Sequence, residues 1–170
     1  HRINQVVMKS IETLLEKYNV IHQCGSTSLH NDIEELTKMR NALPERFKAS
    51  YIVQQGFWEE EIGAVFNSAD LIISRAGANS ITEIIALKKP CILIPIPWTA
   101  GNEQVKNAEL VEQIGLGIIL DQELLTKKML LSYIEEAFKI DVDSLDIKTQ
   151  SNSPSSLIVN EILKDFPGPC

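Results

Sequence analysis

Residues 69–86, ADLIISRAGANSITEIIA, narrow the possible folds more than any other stretch of this chain. Leu71, Ile72 and Ile73, ending at Ser74, form a short apolar, β-branched run suited to a strand buried on both faces. Beyond Gly77 the pattern becomes helical. Gly77 is expected to relax the backbone at the turn, Asn79 or Ser80 to cap the helix, and Glu83 to complete a capping box with Ser80. A strand, a turn of small residues and a helix start together present unpaired N–H groups at the positive end of a helix dipole. Such a surface suits an anion, most often a phosphate.

The flanking sequence repeats the same rhythm. Ile3, Val6, Val7, Ile11, Leu14 and Leu15 mark an amphipathic first helix, and residues 20–24 a strand ending at Gly25 and Ser26. Residues 32–40 read as a helix, 49–54 as a second strand, and 59–67 as a helix with acidic residues in its first turn. Past the central element come a strand over 90–95, a helix over 102–113, a strand over 117–120 and a helix over 126–138. A polar stretch over 144–156 reads as loop and residues 156–166 as a closing helix. Strands alternating with helices imply an α/β fold of Rossmann-like, doubly wound type, one parallel sheet with helices on both faces. Ligands of such sheets bind beyond the carboxyl ends of the strands. Four of those ends carry chemistry here, at 25–26, 56–60, 74–83 and 95–104, and they are expected to converge on one crevice.

A chain of 170 residues with 44% hydrophobic and 23% charged residues has room for one domain with a real core. The net charge of -7 argues against a nucleic-acid partner. Cys24, Cys91 and Cys170 are far apart and odd in number, which disfavours a disulfide framework or a zinc site and fits a reducing, cytoplasmic setting. No apolar run reaches the roughly 18–20 residues of a membrane span, so any membrane contact is expected to be peripheral. Because the sequence starts at His1 already inside a helical pattern, a fragment of a longer protein is expected.

Each candidate residue also has a plain structural role open to it. Glu83 is either a capping-box partner or a carboxylate that accepts from paired hydroxyls, as acidic residues do for ribose. Arg75 is either an ion-pair partner of Asp70 or a cation facing the ligand. Glu103, Gln104 and Asn107, with Asn102, are either a solvated helix start or a set of groups that hold sugar hydroxyls. Trp58 and Trp98 either cover the core edge or stack on a ring, and His22 and His30 read as isolated histidines. There is no nucleophile elbow and no P-loop.

The segment SADLIISRAGA at 68–78, followed by Thr82-Glu83-Ile84, resembles the donor-nucleotide motif of the MurG family of bacterial peptidoglycan N-acetylglucosaminyltransferases. Lys89-Pro90, Ile94 through Pro97, and NEQVKNA at 102–108 continue the resemblance in order and spacing over most of residues 1–140. It implies the C-terminal half of a GT-B glycosyltransferase, lacking its first strand, with residues 1–166 as the UDP-sugar donor domain and 167–170 as a tail. The family reaction moves N-acetylglucosamine from UDP-N-acetylglucosamine, a substrate rather than a cofactor, to lipid I, giving lipid II at the cytoplasmic membrane face. It is inverting and needs no metal or other cofactor.

Carried over by position, Ala78, Asn79 and Ser80 would meet the diphosphate through backbone N–H groups and Glu83 the ribose, with Ile81 and Thr82 between them counted among the donor-binding residues. Gln104 with Glu103 would read the sugar, alongside Asn107, and Arg75 would add to the field on the leaving group. Phe57, Trp58 and Glu59 would frame the uracil, Glu59 standing where the family typically has isoleucine. The family's Gly-rich segment and N-terminal domain precede the residues matched here. The catalytic base, the lipid acceptor site and the peripheral membrane contact are therefore expected outside this sequence, leaving no catalytic residue and little activity in it alone. A glycolipid or dolichol-linked GT-B subunit, a non-catalytic nucleotide-sugar module and a GT-B epimerase are the alternatives.

Overall fold

A computed structural model of the chain describes residues 1–26, 29–145 and 147. The chain divides into two compact units, residues 1–65 with 125–131, and residues 66–124 with the segment from 132 onward.

In the first unit, α1 (Arg2–Leu15) leads to β1 (Val20–Gln23), α2 (Asp32–Ala42), a single helical turn α3 (Glu45–Lys48) and β2 (Tyr51–Gln54). The stripe foreseen for α1 is the buried one, with Val6, Ile11, Leu14 and Leu15 turned inward. Ile11 and Leu15 pack with Leu43, Phe47 and Tyr51 into a core. The turn α3 was not foreseen; Phe47 anchors it in that core, and Arg40 ties it to the next strand by donating to Lys48 O at 3.1 Å and Tyr51 O at 2.8 Å. The strands β1 and β2 are parallel, with Val20 opposite Tyr51 and Gln23 opposite Gln54. Their carboxyl ends stay side by side past the ladder, where Cys24 and Gly25 donate to Gln54 O and Gln55 O. The helix α4 (Glu59–Ser68) follows.

The second unit holds β3 (Ile72–Ser74), α5 (Ala78–Ala86), β4 (Cys91–Leu93), α6 (Glu103–Gln113) and β5 (Gly117–Ile119). Its strands run parallel in the order β3-β4-β5. All three residues of β4 are fully buried, as expected of a strand covered on both faces. The core joins Ile81, Ile84 and Ile85 of α5 to Cys91 and Leu93 of β4 and to Ala108 and Val111 of α6. At Gly117 a side chain has no room, because an added Cβ would collide with Cys91 Sγ and press on Val111. A 3-10 turn, Gln122–Leu124, follows β5, and α7 (Lys127–Ala137) comes after it.

The α/β class and the parallel pairing agree with the expectation. The single sheet is replaced, among the described residues, by a two-stranded and a three-stranded group. The expected loop over 144–156 and closing helix over 156–166 lie outside the described residues, except for Ser144, Leu145 and Ile147.

Candidate functional site

The capping expected in the central element is not what forms. The helix α5 starts at Ala78, with Gly77 as its N-cap. Asn79 and Ser80 therefore sit inside the first turn, and Glu83 lies too far along to close a box with Ser80. The first intrahelical bond runs from Ile81 N to Gly77 O, so the amides of Ala78, Asn79 and Ser80 stand outside the helical ladder. A glycine N-cap has no side chain to receive them. Gly77 itself adopts φ -69 and ψ 149, a conformation open to any residue, so backbone freedom is not why a glycine fits here. What the missing side chain provides is room, since an added Cβ would meet nothing within 4 Å.

Arg75 stands just beyond the end of β3, and its partners are neutral. Its guanidinium donates to Ile94 O at 2.9 Å and to Gln122 Oε1 at 2.6 Å, in place of the ion pair with Asp70 that charge spacing allows. Burial lowers its pKa, yet an arginine stays protonated at any physiological pH. A half-buried cation with no carboxylate partner among the described residues is thus held where the strands end.

Glu83 carries the opposite charge without a partner. Burial alone raises its carboxyl pKa, and among the described residues no hydrogen bond or ion pair holds it. Thr82 is turned back on its own helix, its hydroxyl donating to Ala78 O at 2.9 Å, and Ile81 is core.

Two amides of α6 organise this region, Asn107 tying the helix to the β3–α5 turn and Gln104 tying it to the loop after β4. Asn107 Nδ2 donates to Ala76 O at 3.0 Å, and Ile96 N donates to Gln104 Oε1 at 3.0 Å. A carbonyl needs a donor and an N–H needs an acceptor, so both amide orientations are fixed. Asn107 is left presenting Oδ1, and Gln104 its NH₂ group. The loop is kinked by two successive left-handed residues, Gly101 (φ 63) and Asn102 (φ 56). Asn102, a residue that tolerates this region, makes no side-chain cap on α6, and Glu103 is exposed in the first turn. Trp98 projects into solvent from the same loop, 73% exposed. Within the second unit, then, the 74–83 turn is tied to α6 through Asn107. Glu59 opens α4 in the first unit, and Trp58, 76% exposed, precedes it.

Sequence reasoning passed over a polar cluster in the first unit. His22 is buried between Tyr51 and Asn4, with Nδ1 2.9 Å from the Tyr51 hydroxyl and Nε2 3.0 Å from Asn4 Oδ1. Asn4 Nδ2 already donates to Cys24 O at 2.8 Å and Asp32 Oδ2 at 2.6 Å, so Asn4 Oδ1 can only accept. His22 therefore carries a proton on Nε2, and as a neutral ring it accepts from the Tyr51 hydroxyl at Nδ1. Burial pulls its pKa down to about 4, against a smaller opposing pull from Asp32. Asp32, itself buried, also lies 2.7 Å from His1 Nδ1, and His1 stacks on His30 at 3.6 Å. Isolated histidines at 1, 22 and 30 carry no spacing from which this cluster could be read.

Comparison with known proteins bears on both units. Residues 1–162 match the family profile described as "Glycosyltransferase family 28 C-terminal domain". A Clostridium botulinum (strain Loch Maree / Type A3) protein, named UDP-N-acetylglucosamine--N-acetylmuramyl-(pentapeptide) pyrophosphoryl-undecaprenol N-acetylglucosamine transferase, is 32% identical over 96% of this chain. A Clostridium kluyveri protein of the same name is 38% identical over 79% of it. The chain spans 43% of the first relative's length and 35% of the second's. Among solved structures, Acinetobacter baumannii MurG is similar in fold, with TM-score 0.64 and 24% identity over 96% of this chain and 46% of that one. The glycosyltransferase of kitacinnamycin is similar with TM-score 0.58 and 18% identity, over 98% of this chain and 38% of that one.

Proposed function

The chain belongs to the glycosyltransferase family 28 C-terminal domain family, and on that premise we propose that it binds the donor UDP-N-acetylglucosamine for transfer of the sugar to lipid I, giving lipid II. The observation that carries this is the pairing of three uncapped amides at the start of α5 with Arg75, a cation that no carboxylate among the described residues neutralises. An acceptor hydroxyl displaces UDP at the anomeric carbon, and negative charge grows on the departing diphosphate. Amides and a dipole already aimed at that charge stabilise it without rearrangement. Glu83, unpaired at neutral pH, accepts from the ribose hydroxyls. The NH₂ of Gln104 and the carboxylate of Glu103 meet the sugar hydroxyls, and Asn107 offers Oδ1 nearby while it holds the turn. Glu59, with Trp58, belongs to the uracil contact. Lipid acceptor, catalytic base and peripheral membrane contact fall to residues outside those described here.

Calorimetric titration of UDP-N-acetylglucosamine into the chain, with UDP and UDP-glucose as comparators, tests the proposal. Selective binding that is lost on Glu83→Ala is the expected result; no binding of any uridine nucleotide refutes it.

A further inference from the structure

Gln122 does not figure in the donor-binding residues above, yet it is buried and receives the shortest hydrogen bond that Arg75 makes. Its position is built rather than incidental. The parallel ladder of the second unit ends with Ser74, Leu93 and Ile119 side by side. One step beyond, Ile94 N still donates to Ser74 O and Leu120 N to Leu93 O, both at 2.9 Å. Arg75 then spans the ends of all three strands at once, from the end of β3 over Ile94 O to Gln122 in the turn after β5. That turn is pinned in its own right, since Glu123 N donates to Asp121 Oδ1 at 2.8 Å and Leu124 N to Asp121 O at 3.1 Å.

The geometry points to Arg75 and Gln122 as a positioning pair that fixes the β3–α5 turn against the β4–α6 loop, setting affinity for a nucleoside diphosphate through those loops and not through contact by Gln122. This rests on the donor-binding function proposed above. The physical reason is preorganisation. Ile94 lies two residues before Ile96, whose N–H orients Gln104, and Arg75 is next to Ala76, whose carbonyl orients Asn107. If the guanidinium loses its neutral acceptor, the two amides are aimed from a looser frame, and binding must then order what the fold had already ordered. A neutral acceptor also suits the site better than a carboxylate. Gln122 holds the guanidinium in place without cancelling the charge that attracts the diphosphate.

The test uses Gln122→Met, which keeps the side-chain length and removes the acceptor, together with Arg75→Lys, which keeps the charge but cannot bridge both acceptors. Dissociation constants for UDP are measured well below the melting temperature, and amide hydrogen exchange is followed across residues 94–107. Gln122→Met is expected to raise the UDP dissociation constant about tenfold, a coupling common for residues sharing one network. Exchange at Ile96 and neighbouring amides should quicken, and the double variant should be little worse than Arg75→Lys alone. A lower melting temperature with unchanged UDP affinity would reduce the pair to scaffolding and overturn the inference. So would a loss confined to Arg75→Lys, which would mark direct contact by the arginine. If the unaltered chain binds no uridine nucleotide, the donor-binding function fails, and exchange alone decides the pair: unchanged protection in Gln122→Met rejects it, faster exchange upholds its hold on the loops.

Discussion

Both units gather polar side chains around a parallel strand, and they treat them in opposite ways. Around β1, His22 of the strand, Asn4 of α1, Tyr51 of β2 and Asp32 of α2 satisfy one another out of water, each donor matched to an acceptor. Beyond β3, Arg75 is held by neutral oxygens alone, and among the described residues neither Glu83 nor the three helix amides find a partner. A closed network of this kind stabilises and specifies the fold. An open one stores interactions for something that is not part of the chain. The difference separates polar residues that hold the structure from those that serve a ligand, which residue type alone does not do.

Several substitutions should separate the two kinds of cluster. The largest effect is expected from Ala78→Asp, which puts a carboxylate at the first residue of α5. Repulsion from a diphosphate near 4 Å at an effective dielectric of 20 is about 4 kcal/mol, so UDP binding should vanish in a titration. The same charge favours the helix dipole, so the melting temperature should hold or rise.

In the closed cluster the consequences reverse. His22→Ala strands the Tyr51 hydroxyl and Asn4 Oδ1, and denaturant unfolding should show a loss of roughly 3–4 kcal/mol.

The same ring gives a pH signature. His22 has a folded pKa of about 4, below its unfolded value of 6.5. Unfolding therefore takes up a proton at intermediate pH, so its stabilising effect is complete above about 6.5 and is lost as pH falls toward 4. The full change is roughly 3 kcal/mol, and unfolding of His22→Ala should lack that part of the acid slope.

At the open cluster Glu83→Ala should weaken donor binding by about 1–3 kcal/mol with no loss of stability, since burial without a partner already disfavours the charged form. The smallest effect belongs to Gly77→Ala. It should stabilise the fold by about 0.4–1 kcal/mol, as glycine replacement does at an ordinary φ, and still reduce UDP affinity by filling the space before α5.

How much of this the sequence discloses follows from the range of each interaction. The run from Leu71 to Ser74 and the helix after it are local patterns, and both are found where periodicity puts them. The helix starts two or three residues earlier than the sequence suggests, because Asn79 and Ser80 have better capping propensity than the glycine that fills the role. Arg75 was visible, but its partners were not. Charge spacing proposes Asp70, whereas the acceptors are a backbone carbonyl and an amide 47 positions away. His22 is a core residue that reads as a stray histidine, because its partners come from α1 and β2. The division of the strands into two groups likewise depends on pairings that no local pattern encodes.

The central claim is that an anion docks on the bare amides at the start of α5, and NMR of the ¹⁵N-labelled chain titrated with UDP tests it most directly. The amide resonances of Ala78, Asn79 and Ser80 should shift in a saturable way, with those of α1 and β1 close to their starting positions. Saturable binding that leaves those three amides unmoved would contradict the account and place the diphosphate elsewhere.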